Sequence, residues 1–183
     1  GMVYDWGIHL LDQALMMTLP RKLKSVYAEL TNVTNENCDD GFRTTLIFDD
    51  GLSFYVEVTT SNFIELPLWY MLGENGTAVI TDWDCNGKTV MVSDWENRDA
   101  VPIVAGAGIT KTMAPRTDDT IQTYPLPVQK ADWGEYYKNI FAHLRGEEDA
   151  IVTHNQQRRL MRLVEAIFES DKTNKVVEFK DII

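Results

Sequence analysis

Residues 44–60 read Thr-Thr-Leu-Ile-Phe-Asp-Asp-Gly-Leu-Ser-Phe-Tyr-Val-Glu-Val-Thr-Thr, and this stretch decides the fold class. Two runs rich in β-branched and aromatic residues flank Asp49-Asp50-Gly51, and Asp-Gly between such runs is a strong hairpin signal. The pattern predicts strands over Thr44–Phe48 and Leu52–Thr60. In the second strand Phe54, Val56 and Val58 alternate with Ser53, Tyr55 and Glu57. One face should therefore pack inward while the other stays wetter.

The same period continues on both sides of the hairpin. Upstream, Lys24–Thr34 alternates Val26, Ala28 and Leu30 with polar neighbours, and Asn35–Asp40 reads as a polar turn. Downstream, Pro67–Leu72 and Thr77–Thr81 flank Gly73-Glu74-Asn75-Gly76, and Lys88–Val92 is a further strand. About six strands result, mostly joined by hairpins and hence antiparallel. Asp94–Val128 has no periodicity and is broken by Pro102, Gly106, Gly108, Pro115, Pro125 and Pro127. A loop this long is usually functional or interface-forming, with plain irregular packing as the alternative.

Helical patterns close the chain. Asp132-x-x-Glu135 is a capping-box pattern opening a helix with Trp133, Tyr136, Tyr137, Ile140, Phe141 and Leu144 on one face, ended by Gly146. Thr153-x-x-Gln156 opens a second, with Leu160, Leu163, Val164, Ile167 and Phe168 inward and Arg158, Arg159 and Arg162 outward. Val176–Phe179 is a last short strand. Strands grouped centrally with helices at the ends describe an α+β sheet layered by helices, built as one domain over residues 1–183.

Composition narrows the function classes. The net charge is −11 with dispersed basic residues, which repels a polyphosphate backbone and argues against nucleic acid. Cys38 and Cys85 lack C-x-x-C spacing, so neither a disulfide scaffold nor a Cys-ligated zinc is expected. No apolar run approaches the ~20 residues of a membrane span and no signal-peptide pattern is seen. The expectation is a soluble chain with no membrane partner, its compartment open and the cytoplasm favoured.

The chemistry lies in Asp5-Trp6-Gly7-Ile8-His9-Leu10-Leu11-Asp12. A helix is expected from Asp5, whose side chain would cap it, to Met17 or Leu19, where Pro20 bars continuation. At about 100° per residue Asp5, His9 and Asp12 fall within a stripe roughly 60° wide. Trp6, Leu10, Leu11, Ala14, Leu15 and Met17 cover the opposite, core-facing arc. Dehydrogenation of an alcohol needs a group to take the hydroxyl proton, and imidazole suits that task. Asp5 could orient His9 or bind a substrate hydroxyl, and Asp12 could hold a second hydroxyl of a polyol.

Simpler readings stand beside this one. Asp5 could be only a cap and His9 only a satisfied core group. Asp5, His9 and Asp12 could ligate Zn²⁺ or Mn²⁺, but His143 and His154 lack ligand spacing, so no metal is expected. G-x-G-x-x-G, P-loop and G-x-S-x-G motifs are absent, and Gly106-Ala107-Gly108 is too short to bind a dinucleotide. Trp69, Tyr70 and Met71 could stack on sugar rings, although core or interface packing is the commoner role of such a strand.

The opening Gly1-x-x-x-Asp5-x-Gly7-x-His9-x-x-Asp12 resembles the start of the C-terminal domain in the glucose-fructose oxidoreductase / inositol dehydrogenase / MocA-like (Gfo/Idh/MocA) family. Phe48-x-x-Gly51, Trp69-x-x-x-Gly73-x-x-Gly76-Thr77, the Trp133–Leu144 helix with Arg145-Gly146, and Thr153–Phe168 are similar to later elements of that family, in order. The resemblance implies an open, mostly antiparallel sheet of six or more strands with helices on one face, as in the glyceraldehyde-3-phosphate-dehydrogenase-like C-terminal domain.

In that family an N-terminal Rossmann domain binds NAD or NADP, and a Lys of a Glu-Lys-Pro motif works with an Asp and a His four residues later. Asp5 and His9 match those two positions, and the Rossmann domain and the Lys lie outside this sequence. The implied function is the substrate-binding and oligomerisation domain of an NAD(P)-dependent oxidoreductase acting on a sugar, polyol or related hydroxy compound. The isolated chain should bind no cofactor and be inactive. The resemblance also implies a homo-oligomer, a dimer or larger, formed through the sheet face. The alternative is a non-catalytic binding or assembly module.

Overall fold

The structure is a computed structural model that describes residues 1–96, 103–110, 118–127 and 130–182. Residues 97–102, 111–117 and 128, which belong to the unpatterned segment 94–128, lie outside the described residues. The chain divides into two compact units, residues 1–63 with 133–183, and residues 64–132. The α+β class with antiparallel strands is what the structure has, and among the described residues the strands divide into sheets of four, four and two.

In the first unit helix α1 (Ile8–Met17) precedes strands β1 (Leu23–Thr31), β2 (Gly41–Phe48) and β3 (Ser53–Thr59). The β2–β3 hairpin turns at Gly51, whose φ of +88° is open to glycine at no steric cost. Register places Val26 opposite Leu46, and Thr44 and Leu46 opposite Val56 and Phe54. One face therefore collects the apolar side chains, which form a single core with Leu11, Ala14 and Leu15 of α1.

The second unit holds β4 (Trp69–Gly73), β5 (Gly76–Ile80), β6 (Gly87–Val92), β7 (Ile103–Ala105), β8 (Gly108–Thr110) and β9 (Ile121–Pro125). Its sheet runs β4-β5-β6-β9, and β7 with β8 make a separate ribbon. The last three strands lie in the stretch expected to be irregular. Pro125 is compatible with strand β9 because β9 is an edge, where a missing N–H costs nothing. Gly106-Ala107 is the two-residue turn of the ribbon, with Gly106 at φ +60°.

Back in the first unit are α2 (Trp133–Leu144), α3 (His154–Thr173) and β10 (Val177–Glu178), which pairs with the outer edge of β1. The α3 capping box forms as its sequence predicts, Thr153 and Gln156 bonding reciprocally. β10 is too short to cover β1. Ser170 Oγ and Asp171 Oδ1 take the Ala28 and Leu30 N–H groups at 2.9 and 2.8 Å, so the end of α3 completes that edge.

The apolar stripe of α2 points away from the unit, since Trp133 is 86% and Leu144 75% exposed while Asn139 and Ala142 are buried. Asn139 explains this orientation. Its amide donates to the Asp149 carbonyl (3.0 Å) and Glu148 Oε2 (3.3 Å) and accepts the Ile151 N–H (2.9 Å), anchoring the helix by its polar side.

The polar turn between β1 and β2 is organised by Asp40. Its carboxylate accepts the Thr34 N–H and, at 2.9 Å, the Thr34 hydroxyl. These donors hold its pKa at about 2, below the ordinary 3.8. A carboxylate so depressed stabilises the fold above pH 3.8, and its contribution is lost as pH falls towards 2. Urea denaturation as a function of pH should show Asp40→Asn losing part of that acid limb. An unchanged pH slope would contradict the role given to the turn.

Candidate functional site

The site begins in a π-helical turn over Val3–Gly7, in which the Met2 carbonyl accepts the Gly7 N–H at 2.7 Å, five residues on. The turn runs directly into α1. Asp5 is therefore not the cap that the sequence suggested. That work falls to Asp39, whose carboxylate accepts the Val3 N–H at 2.9 Å and whose carbonyl accepts the Met2 N–H at 3.1 Å. An anion at the helix start also suits the macrodipole.

The wider turn changes the phase of the helix surface. Val3, Gly7, Leu11, Ala14, Leu15 and Thr18 face inward, while Trp6 and Met17, both expected inside, are exposed. Leu10 is half-buried. Asp5 and His9 are exposed and Asp12 is half-buried, so all three side chains keep access to solvent. Burial pushes the Asp12 carboxyl above the usual carboxylate range, and the nearby His9 ring pulls it partly back. An imidazole near a carboxyl is a set of groups that can exchange a proton with a hydroxyl.

Gly7 is needed for close approach. A Cβ there would lie 2.6 Å from Cε1 of Phe42 and 2.8 Å from the Met2 carbonyl oxygen. Gly7→Ala should cost about 1–3 kcal/mol through overpacking, read as a lower urea midpoint. An unchanged midpoint would show that the π turn can shift freely on β2.

Arg159, expected on the outer face of α3, is buried at 4% exposure. It pairs with Asp181 and reaches the Leu15 carbonyl near the C-terminal end of α1. Asp39, Arg159 and Asp181 are thus supports of the site that the sequence reading missed. The remaining candidates lie elsewhere. His143 Nδ1 sits 3.0 Å from the Glu148 carbonyl oxygen, and His154 opens α3. Trp69, Tyr70 and Met71 belong to β4 of the other unit.

Among the described residues no group of three or more His, Cys, Asp or Glu side chains could hold a metal ion. Neither the Gly106-Ala107-Gly108 run nor the two capped helix starts offers a dinucleotide cradle. Gly106-Ala107-Gly108 belongs to the β7–β8 ribbon, not to a strand–helix turn, and the first turns of the helices beginning at Val3 and His154 are occupied by Asp39 and Thr153. Among the described residues no helix is long and apolar enough to cross a membrane.

The fold and this helix define a class. Residues 1–79 match the family model of the GFO/IDH/MocA C-terminal domain, a span that contains all of α1. Over those residues the chain matches the C-terminal domain of that oxidoreductase family. An NAD-binding protein from Listeria innocua superposes with a TM-score of 0.88 at 39% identity, covering 98% of this chain and 51% of that one.

A protein from Yersinia pestis classed as an oxidoreductase gives 0.76 at 18% identity, covering 98% and 50%. The WlbA dehydrogenase from Bordetella pertussis, solved with NADH and UDP-GlcNAcA, gives 0.61 at 18%, covering 98% and 45%. These last two show the shared fold. No functionally curated protein matches the chain. The chain spans about half the length of the solved structures it matches.

Proposed function

We propose that this chain is the substrate-binding and oligomerisation domain of an NAD(P)-dependent oxidoreductase acting on a sugar, polyol or related hydroxy compound. The observation that carries the reading is the exposed His9 beside the half-buried Asp12, on a helix whose opposite side is sealed into the core. His9 accepts or relays the proton of the reacting hydroxyl. Asp5, one turn earlier, orients the imidazole or bonds the same hydroxyl, and Asp12 holds a second one.

The nicotinamide cofactor belongs to the rest of the intact protein. The half-length coverage of the NAD-binding Listeria protein supports this. The test has two arms. NADH titrated into this chain should leave its fluorescence unchanged, and the intact protein should reduce NAD⁺ or NADP⁺ with a member of a sugar and polyol panel. Cofactor binding by this chain, or no reduction across the panel, would overturn the proposal.

The exposed sheet of the second unit supports the assembly part of the proposal. Tyr70 and Leu72 lie on one face of β4, with Leu72 76% exposed. Exposed apolar side chains on a sheet face support an interface there, and the proposed occupant is a second copy of the chain. Light scattering at micromolar concentration should give at least a dimer, and Leu72→Asp should shift it to monomer. A wild-type monomer would refute this.

A further inference from the structure

Arg159 and Asp181 form a bidentate pair, Nε to Oδ1 at 2.8 Å and Nη2 to Oδ2 at 2.6 Å, with both side chains almost sealed from solvent. The guanidinium also donates to the Leu15 carbonyl at 3.3 Å, near the C-terminal end of α1, and to the Arg21 carbonyl at 3.1 Å, ahead of β1. Asp181 in turn accepts the Leu23 and Ile182 N–H groups at 2.7 and 2.8 Å. One charged pair thus joins α3, the end of α1, the start of β1 and the C-terminal segment.

A buried ion pair recovers little beyond its own desolvation cost, and an apolar pair of similar volume often serves stability as well. What the planar fork adds is direction. The sign is also the one the helix favours, a cation at the carbonyl end of α1 and the Asp39 anion at the amide end of the turn that leads into it. We propose that Arg159, held by Asp181, is a positioning residue that fixes the rotation and axial setting of α1, and through it the placement of His9 and Asp12. The inference rests on the reading of those two residues as the site.

The test follows the Asp12 carboxyl by ¹³C NMR titration of this chain. The wild-type midpoint should lie above 3.8, because burial raises it. Arg159→Lys keeps the charge but loses the fork, and Arg159→Met combined with Asp181→Leu removes both charges and refills the volume. In each variant the Asp12 midpoint should move down towards 3.8 as the helix end loosens and the carboxyl gains water, while the double variant melts within a few degrees of wild type.

A folded variant of either kind with the wild-type Asp12 midpoint would overturn the proposal. Failure of both to fold would also overturn it, since the pair would then be a stability device and no more. The readout needs no catalysis. A fully active His9→Ala enzyme would therefore remove the functional reading without deciding this one.

Discussion

His9→Ala in the intact protein is expected to lower turnover by roughly 10²–10⁴-fold, the range a positioned general base supplies. The imidazole is exposed on the outer side of α1, so its removal should leave stability within about 0.5 kcal/mol of wild type. That separation makes the experiment decisive. A variant with wild-type melting and a thousandfold slower turnover has lost chemistry, whereas a parallel loss of both would mean a folding defect.

The substrate KM should change little, because the proton acceptor acts mainly in the transition state. Asp12→Asn should show the opposite balance, a raised KM with a smaller fall in turnover, since its proposed partner is a second hydroxyl distant from the reacting carbon. Steady-state kinetics on the two variants with one polyol distinguishes these roles. Near-wild-type turnover in His9→Ala would remove His9 from the mechanism.

The parts of this protein that were legible in the sequence are those governed by neighbours in the chain. The hairpin at Asp49-Asp50-Gly51, the Gly73–Gly76 turn and the Thr153 capping box each rest on residues within a few positions of one another, and each is present. Asp5, His9 and Asp12 are also local, and all three stay open to solvent although the helix start did not follow the expected geometry. A π turn has no hydrophobic period of its own to announce it. Its sign was only Gly7 at the place where the ring of Phe42 comes closest.

The supports of the site were hidden for the opposite reason. Asp39 caps a helix 36 residues before it, and Asp181 lies 22 residues beyond Arg159 in a tail without pattern. A helical wheel places Arg158, Arg159 and Arg162 together as a charged face, and nothing local shows that one of them meets a buried carboxylate. Strands β7 to β9 were obscured by glycines and prolines that normally end strands but here sit at a turn and an edge. The α2 stripe misled in another way. Its period was right, but the helix is anchored through Asn139 on the other side.

Arg159→Met alone is expected to be the most destabilising of these changes, by about 3–5 kcal/mol, because it leaves one member of a buried ion pair without its counter-charge. For a chain of this size that corresponds to a fall of about 6–20 °C in melting temperature. Three losses act together. Asp181 keeps, among the described residues, the Leu23 and Ile182 N–H donors but no counter-charge, the Arg21 carbonyl loses the guanidinium while that of Leu15 is left with the Thr18 hydroxyl, and the end of α1 loses its hydrogen bond to α3. The control is Arg158→Met, one residue away but exposed, which should stay within about 0.5 kcal/mol of wild type. If the two arginines proved equally dispensable in thermal and urea unfolding, the buried pair would be contributing no net stability.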